Sequence, residues 1–219
     1  MTTLAEMVQD VEDIIQDTDI TTLAADKINA GLKDVAGRVL IPGLETVAEI
    51  DTTAGVNYVA LPDNFQRTLG RWAYSNTTNR MITVYPSLPQ LYKVVSKLDL
   101  AGNVFGIARQ GLNLFYQRVP AAAQTLKIQY FKLPTTLSAS ADEPDCLPVH
   151  LHSDLLVSYA CWKYWEKIEQ GMDGKKPNTT MYKGLYDEAV GSLQAFTGPF
   201  ADTPIEIVDE LNLDSLTNY

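Results

Sequence analysis

Apolar residues recur at spacings of three and four from the start of the chain: Leu4, Met7, Val8, Val11, Ile14 and Ile15, with Glu6, Asp10, Glu12, Asp13 and Asp17 between them. Residues three and four apart share one face of a 3.6-residue turn, so this spacing predicts an amphipathic helix. After a break over 17–20, Thr21 or Thr22 is placed to cap a second helix carrying Leu23, Ile28, Leu32, Val35 and Val39, which stops before Pro42 and Gly43. The short link predicts an antiparallel pair.

From Leu44 the period changes to two. Val47, Ile50, Val56, Tyr58 and Leu61 lie around Thr52-Thr53-Ala54-Gly55 and read as strand, turn, strand. Arg71 to Tyr74 and Met81 to Tyr85 flank the turn-forming Asn76-Thr77-Thr78-Asn79, which predicts a hairpin. Ser87 and Pro89 open a short helix over Gln90 to Val95. Three β-prone runs follow, Val104 to Ala108, Leu112 to Tyr116 and Thr125 to Phe131, the first two joined across Gln110-Gly111, and they predict an antiparallel meander.

Pro134 to Pro148 has linker composition and marks the return to helix. The segment His150 to Glu169 is apolar around most of its circumference, the pattern of a helix covered on several sides. A loop over 170–178 leads to a last helix from Thr179 or Thr180, with Tyr182, Leu185, Tyr186, Ala189, Val190, Leu193 and Phe196 in helical spacing and Gly198-Pro199 as its stop.

The pattern is therefore α+β: a helical bundle formed by the N- and C-terminal helices, with an antiparallel β-rich lobe inserted between them. The expected division is 1–43 for the N-terminal helices, 44–134 for the lobe, 135–148 for the linker, 149–197 for the C-terminal helices and 198–219 for an arm. That arm contains Asp202, Glu206, Asp209, Glu210 and Asp214, no Lys, Arg or His, and a scatter of apolar residues. Phe200, Ile205, Ile207, Val208, Leu211 and Leu213 are its candidate partner-binding residues, because acidic and apolar character together suit a segment that docks into a groove. The alternative is a frayed terminus.

Composition narrows the function. With 46% hydrophobic and 20% charged residues the chain is globular, and its net charge of −10 argues against sequence-specific nucleic-acid binding and against anionic membranes. No apolar run approaches the roughly 20 residues that span a bilayer, and the first residues lack a signal peptide's basic start, so synthesis in the cytosol is expected. Cys146 and Cys161 are expected to stay unlinked, Cys161 as a buried thiol.

Candidate chemistry is sparse. His150, His152 and Asp154 invite a metal, but residues two apart on a helix face different ways. Asp142, Glu143 and Asp145 lack the glycine and distal carboxylate of a calcium loop. Phosphate-loop, dinucleotide, zinc-protease and serine-elbow motifs are all missing from the sequence. No catalytic residue, metal site or cofactor is assigned. The aromatics of the strands, Tyr74, Tyr85, Phe115, Tyr116, Tyr130 and Phe131 with Trp72, read as packing before they read as a stacking platform.

The order of elements, with Tyr58-Val59-Ala60-Leu61-Pro62-Asp63-Asn64-Phe65 and the passage from Asp145-Cys146-Leu147-Pro148 through Leu155 to Ala160, resembles the head-to-tail adaptor (connector, head-completion) proteins of tailed bacteriophages, in particular the short-tailed type. The resemblance implies a structural virion protein without enzymatic activity, located in the virion neck and made in the cytoplasm of a bacterial host. It implies a ring of roughly twelve copies under the portal, meeting tail or nozzle proteins on its other side and passing double-stranded DNA without reading it. A different tail or neck completion protein, or a receptor-contacting module, is the second reading, and a virion hydrolase the third.

Overall fold

Thr3 nucleates the first helix through reciprocal contacts: its hydroxyl accepts the Glu6 N–H at 3.3 Å and the Glu6 carboxylate accepts the Thr3 N–H at 2.8 Å. In the computed structural model, which describes residues 2–94, 100–170 and 176–198, this helix is α1 (Leu4–Ile15). It buries Leu4, Met7, Val8 and Val11 as the spacing predicted. The second helix, α2 (Thr21–Arg38), begins where expected but without a side-chain cap. Thr21 instead donates its hydroxyl to the Glu12 carboxylate at 2.5 Å and ties the two helices together.

Among the described residues seven strands form one sheet: β1 (Glu45–Asp51), β2 (Tyr58–Ala60), β3 (Phe65–Ser75), β4 (Arg80–Tyr85), β5 (Gly106–Gln110), β6 (Asn113–Gln117) and β7 (Thr125–Lys132). Their order across the sheet is β1-β7-β3-β4-β5-β6-β2. The β3–β4 hairpin over residues 76–79 and the β5–β6 hairpin form as the turn residues predict. Gly111 opens the two-residue β5–β6 turn at φ 62°, a conformation that favours glycine, and Leu112 stands exposed at its tip.

Three expectations about pairing are corrected. β1 and β2 do not pair; they lie at opposite edges, against β7 and β6. The last three strands are not a meander, because β7 leaves β6 and inserts between β1 and β3. The lobe is not purely antiparallel either: β4 and β5 run parallel, the short helix α3 (Leu88–Val94) lying in the connection between them. The common reason is that alternation specifies which residues face inward on a strand and leaves the partner to distant packing. β7 buries Leu126, Ile128, Tyr130 and Phe131, as suits a strand paired on both sides.

Two hydrophobic clusters result. Ile50, Ile82, Ile107, Leu114, Leu126 and Ile128 are among those that build the sheet cluster. α1, α2, residues 147–162 and the last helix contribute to the other. Tyr130 belongs to the first and its neighbour Phe131 to the second, since successive strand residues point to opposite faces.

The segment read as a linker is fastened to the helices. Asn29 brackets Leu137 by donating to its carbonyl (3.0 Å) and accepting its N–H (2.8 Å), and Leu137 is buried. The carbonyls of Asp142 and Ser140 accept the N–H groups of Leu4 and Ala5, two amides that a helix start leaves without internal partners. The backbone N–H groups of Ala139 and Ser138 in turn hold the Asp142 carboxyl below its ordinary value.

In place of one uniform helix over 150–169 there is a 3₁₀ turn (Val149–Leu151), a π-helical turn (Ser153–Val157) and α4 (Ser158–Ile168). α4 meets α2 where Gly31 faces Tyr159; a Cβ there would lie 2.9 Å from the tyrosine ring, so glycine permits the approach. The last helix, α5 (Pro177–Thr197), starts two residues before the predicted cap, with Pro177 in its first turn. Its first amides are satisfied from a distance, the Glu169 carboxylate accepting the N–H of Asn178 at 3.2 Å and of Thr179 at 3.1 Å.

Cys161 is buried and Cys146 half-buried, and both are free thiols. Burial pushes Cys161 up to about 12 and Cys146 up to about 11, from 9.0. The folded chain thus keeps these protons after the unfolded chain has begun to lose them. Stability is fully present below pH 9 and falls as pH rises from 9 through about 12, which urea titrations across that range will register as a declining midpoint.

Candidate functional site

α5 presents two different faces. Tyr186, Ala189, Val190 and Leu193 are buried against the helical cluster, whereas Met181, Leu185 and Phe196 are 50%, 46% and 64% exposed. The spacing 181, 185, 188, 192, 196 puts these apolar side chains on one stripe with Glu188 and Ser192 between them. At one end Phe196 packs edge-on to His150, centroids 5.8 Å apart, next to the half-exposed Val149. Beside the stripe runs a groove of about 270 Å3 whose walls include Asp154, Ser158, Leu185 and Glu188. Large apolar side chains aligned on a helix face beside a groove are the makings of a protein contact, not of a reaction centre.

The buried face of α5 is fixed by a polar cluster. Tyr186 is wholly buried and donates its hydroxyl to Asp34 Oδ2 at 2.5 Å. Arg38 Nε lies 2.7 Å from the same oxygen, Arg38 Nη1 lies 3.2 Å from Asp187, and the guanidinium stands 5.1 Å from the centroid of the Tyr186 ring. Burial, then the hydrogen bond to Asp34, raises the tyrosine far above its ordinary value, so it stays a donor. Tyr159 and Trp162 enclose the ring at 5.2 and 5.8 Å.

His150 is exposed against Phe196. His152 is 1% exposed, with Nε2 3.1 Å from the Leu147 carbonyl. The π-helical turn that follows it, which periodicity gives no means of seeing, carries the segment inward. Asp154 lines the α5 groove and is not grouped with the histidines; among the described residues no three His, Cys, Asp or Glu side chains gather as metal ligands would. Of the strand aromatics, Tyr116, Tyr130 and Phe131 are buried and Tyr58 is half-exposed against Phe115.

Two basic features were not foreseen. On the lobe, Arg80 and Arg118 share a groove of about 570 Å3 with Thr78, Met81 and Asn103. At the other end of the sheet Arg67 reaches from β3 to the end of α2, where its Nη1 donates to the Gly37 carbonyl at 2.9 Å. A lone Arg within a strand sequence gives no sign of this, because the contact spans thirty residues. The arm residues Phe200, Ile205, Ile207, Val208, Leu211 and Leu213 lie outside the described residues. Among the described residues no helix is long and apolar enough to cross a membrane.

A family model described as SU10 adaptor protein matches residues 2–203. No curated protein matches the chain.

Proposed function

The chain belongs to the SU10 adaptor protein family, and from this we propose that it is a structural virion protein of a tailed phage, a head-to-tail adaptor that forms a ring between the portal and the tail or nozzle and continues the DNA channel. The observation that carries the reading beyond family membership is the apolar stripe of α5, Met181, Leu185 and Phe196, exposed in the single chain and backed by a groove. A ring needs such a surface. Each copy must offer one patch to the neighbour on one side and receive a different patch on the other, a heterologous contact that closes.

In this reading the helices build the ring wall, with roughly twelve copies to match a cyclic portal of the short-tailed type. The sheet lobe projects outward or toward the tail. Residues 198–219 act as an arm toward the portal, with Phe200, Ile205, Ile207, Val208, Leu211 and Leu213 as its contact residues. A net charge of −10 suits a conduit, because DNA passes a negative wall without phosphate neutralisation and counterion release holding it there. The site of action is the virion neck, after synthesis in the bacterial cytoplasm.

Mixing the purified chain with its portal and imaging the product by electron microscopy is the test. The expected result is added density on one face of the portal, in the portal's symmetry. A portal that stays bare at saturating concentrations of the chain rejects the adaptor reading.

A further inference from the structure

β1 lies at an edge of the sheet and pairs with β7 alone. An antiparallel ladder alternates: one residue turns its N–H and C=O toward the partner strand, and the next turns them away. The Thr52 N–H donates to the Gln124 carbonyl at 2.9 Å, one step beyond the Asp51–Thr125 pair, so Thr52 faces β7. Ile50, Ala48 and Thr46 therefore face β7 as well, and Glu45, Val47, Glu49 and Asp51 direct their backbone groups to the open side. β7 has the same phase, because the Thr125 carbonyl accepts the Asn76 N–H at the end of β3, on its other flank. The Glu45 N–H is taken by the Pro42 carbonyl. The Glu45 carbonyl and the backbone groups of Val47, Glu49 and Asp51 have no hydrogen-bond partner among the described residues.

Such an edge is a template for another strand, and folds commonly blunt it with a bulge, a proline, a lysine or a very short strand. β2, at the opposite edge, is blunted by its length of three residues. β1 has none of these devices. It runs seven residues in unbroken register with β7 and contains no Pro and no Lys. Its side chains carry charge of one sign. Glu45, Val47, Glu49 and Asp51 share one exposed face, where the ion pair of Glu49 with Lys127, at 3.0 Å, is the one that β1 makes among the described residues. On the other face Thr46 and Ala48 are half-buried and Ile50 joins the sheet cluster.

Charge selects among the strands that could add here. A second copy laying β1 against β1 in the full register would set Glu45 opposite Asp51, a like-charge pairing that destabilises a ladder. A second copy offering β2 brings three residues and no cation. Lys127 is the kind of neighbour the face accepts, since it stands directly across from Glu49. We infer that the open edge of β1 takes an extended segment of another protein, with Lys or Arg at alternate positions on the Glu45–Asp51 face and apolar residues between them that continue the sheet cluster beyond Ile50. Backbone hydrogen bonds supply the affinity of such an added strand, and the alternate side chains supply its selectivity. The edge lies apart from the α5 stripe, so this contact stands whether or not copies of the chain form a ring.

Amide exchange in the full-length protein tests it, with a seven-residue peptide of alternating Lys and Val as the probe and its Glu–Val counterpart as the control. In the chain alone the N–H groups of Ala48 and Ile50 should exchange at least roughly tenfold more slowly than those of Val47, Glu49 and Asp51. The Lys–Val peptide at about 1 mM should at least halve the rates of the latter three, the effect of a Kd near that concentration, and the Glu–Val peptide should leave them unchanged. Val47→Pro removes an N–H that no ladder bond uses, so the urea midpoint should hold while the protection of Glu49 and Asp51 by the peptide is lost. Glu45→Lys combined with Asp51→Lys, both at exposed positions, should reverse the preference between the two peptides. Slow exchange at Val47, Glu49 and Asp51 in the dilute chain alone overturns the inference, as does protection that grows as the chain is concentrated, which would make a second copy the occupant. An edge that the Lys–Val peptide leaves unchanged, equal protection by both peptides, or protection that survives Val47→Pro overturns it too.

Discussion

Tyr186→Ala is expected to destabilise the chain by about 3–5 kcal/mol, the range for removing a large aromatic from a packed interior. Tyr186 is wholly buried between Tyr159 and Trp162, so the cavity opens at the centre of the helical cluster. The substitution also removes the donor to Asp34 Oδ2, leaving that carboxylate dependent on Arg38. Tyr186→Phe separates the two contributions, because it keeps the ring and deletes only the hydroxyl. Its expected effect is about 1.5–3 kcal/mol, the value of a hydrogen bond to a charged group. Urea denaturation decides: both variants should lower the midpoint with an unchanged slope, and Tyr186→Ala by more than Tyr186→Phe. Equal losses would mean that the hydroxyl contact, not the packing, holds α5 in place.

Which parts of this architecture could be read from the chain follows from the range of the forces involved. α1, α2 and α5 are visible because a helix repeats its apolar face every three or four residues and so writes its own evidence locally. The two hairpins are visible for the same reason, their turns being spelled by Asn76 to Asn79 and by Gly111. The insertion of β7 between β1 and β3 is not local: Thr125 opposes Asp51 across seventy-four residues, and no alternation records that choice. The fastening of 134–148 was hidden by its composition, since Ser138, Ser140 and Asp142 look like a solvated linker while the carbonyls of Ser140 and Asp142 serve α1 and the Ser138 N–H holds the Asp142 carboxylate.

The functional surface divides in the same way. The helical spacing that Leu185 and Phe196 share with the buried residues of α5 does not by itself divide its apolar face. The structure splits that face, since Tyr186, Ala189, Val190 and Leu193 saturate the contact with α2 and α4 and leave Met181, Leu185 and Phe196 outside. An apolar arc wider than one neighbour covers leaves a second face open, and that width was present in the sequence. Arg67 had no such sign: its reach to the Gly37 carbonyl is a matter of geometry at the meeting of β3 and α2.

Whether another copy covers that open face, as the proposed ring requires, is what Leu185→Asp tests. In the isolated chain the substitution is close to silent, within about 0.5 kcal/mol, because a half-exposed side chain is exchanged for a solvated one. Within a contact between copies the aspartate would be stripped of water, and Met181, Glu188, Ser192 and Phe196 on its own stripe offer it no cation. An uncompensated charge of that kind costs about 3–5 kcal/mol, or more than about 100-fold in the affinity of each contact. A closed ring repeats the contact at every interface, so the penalty is multiplied and assembly should be lost outright. Leu112→Asp, at the tip of the β5–β6 hairpin, introduces the same charge on the lobe and should leave the ring intact. The comparison is made by electron microscopy of each variant with the portal, alongside urea midpoints that establish an undamaged fold. A Leu185→Asp chain that assembles on the portal as well as the parent would reject α5 as the proposed lateral contact.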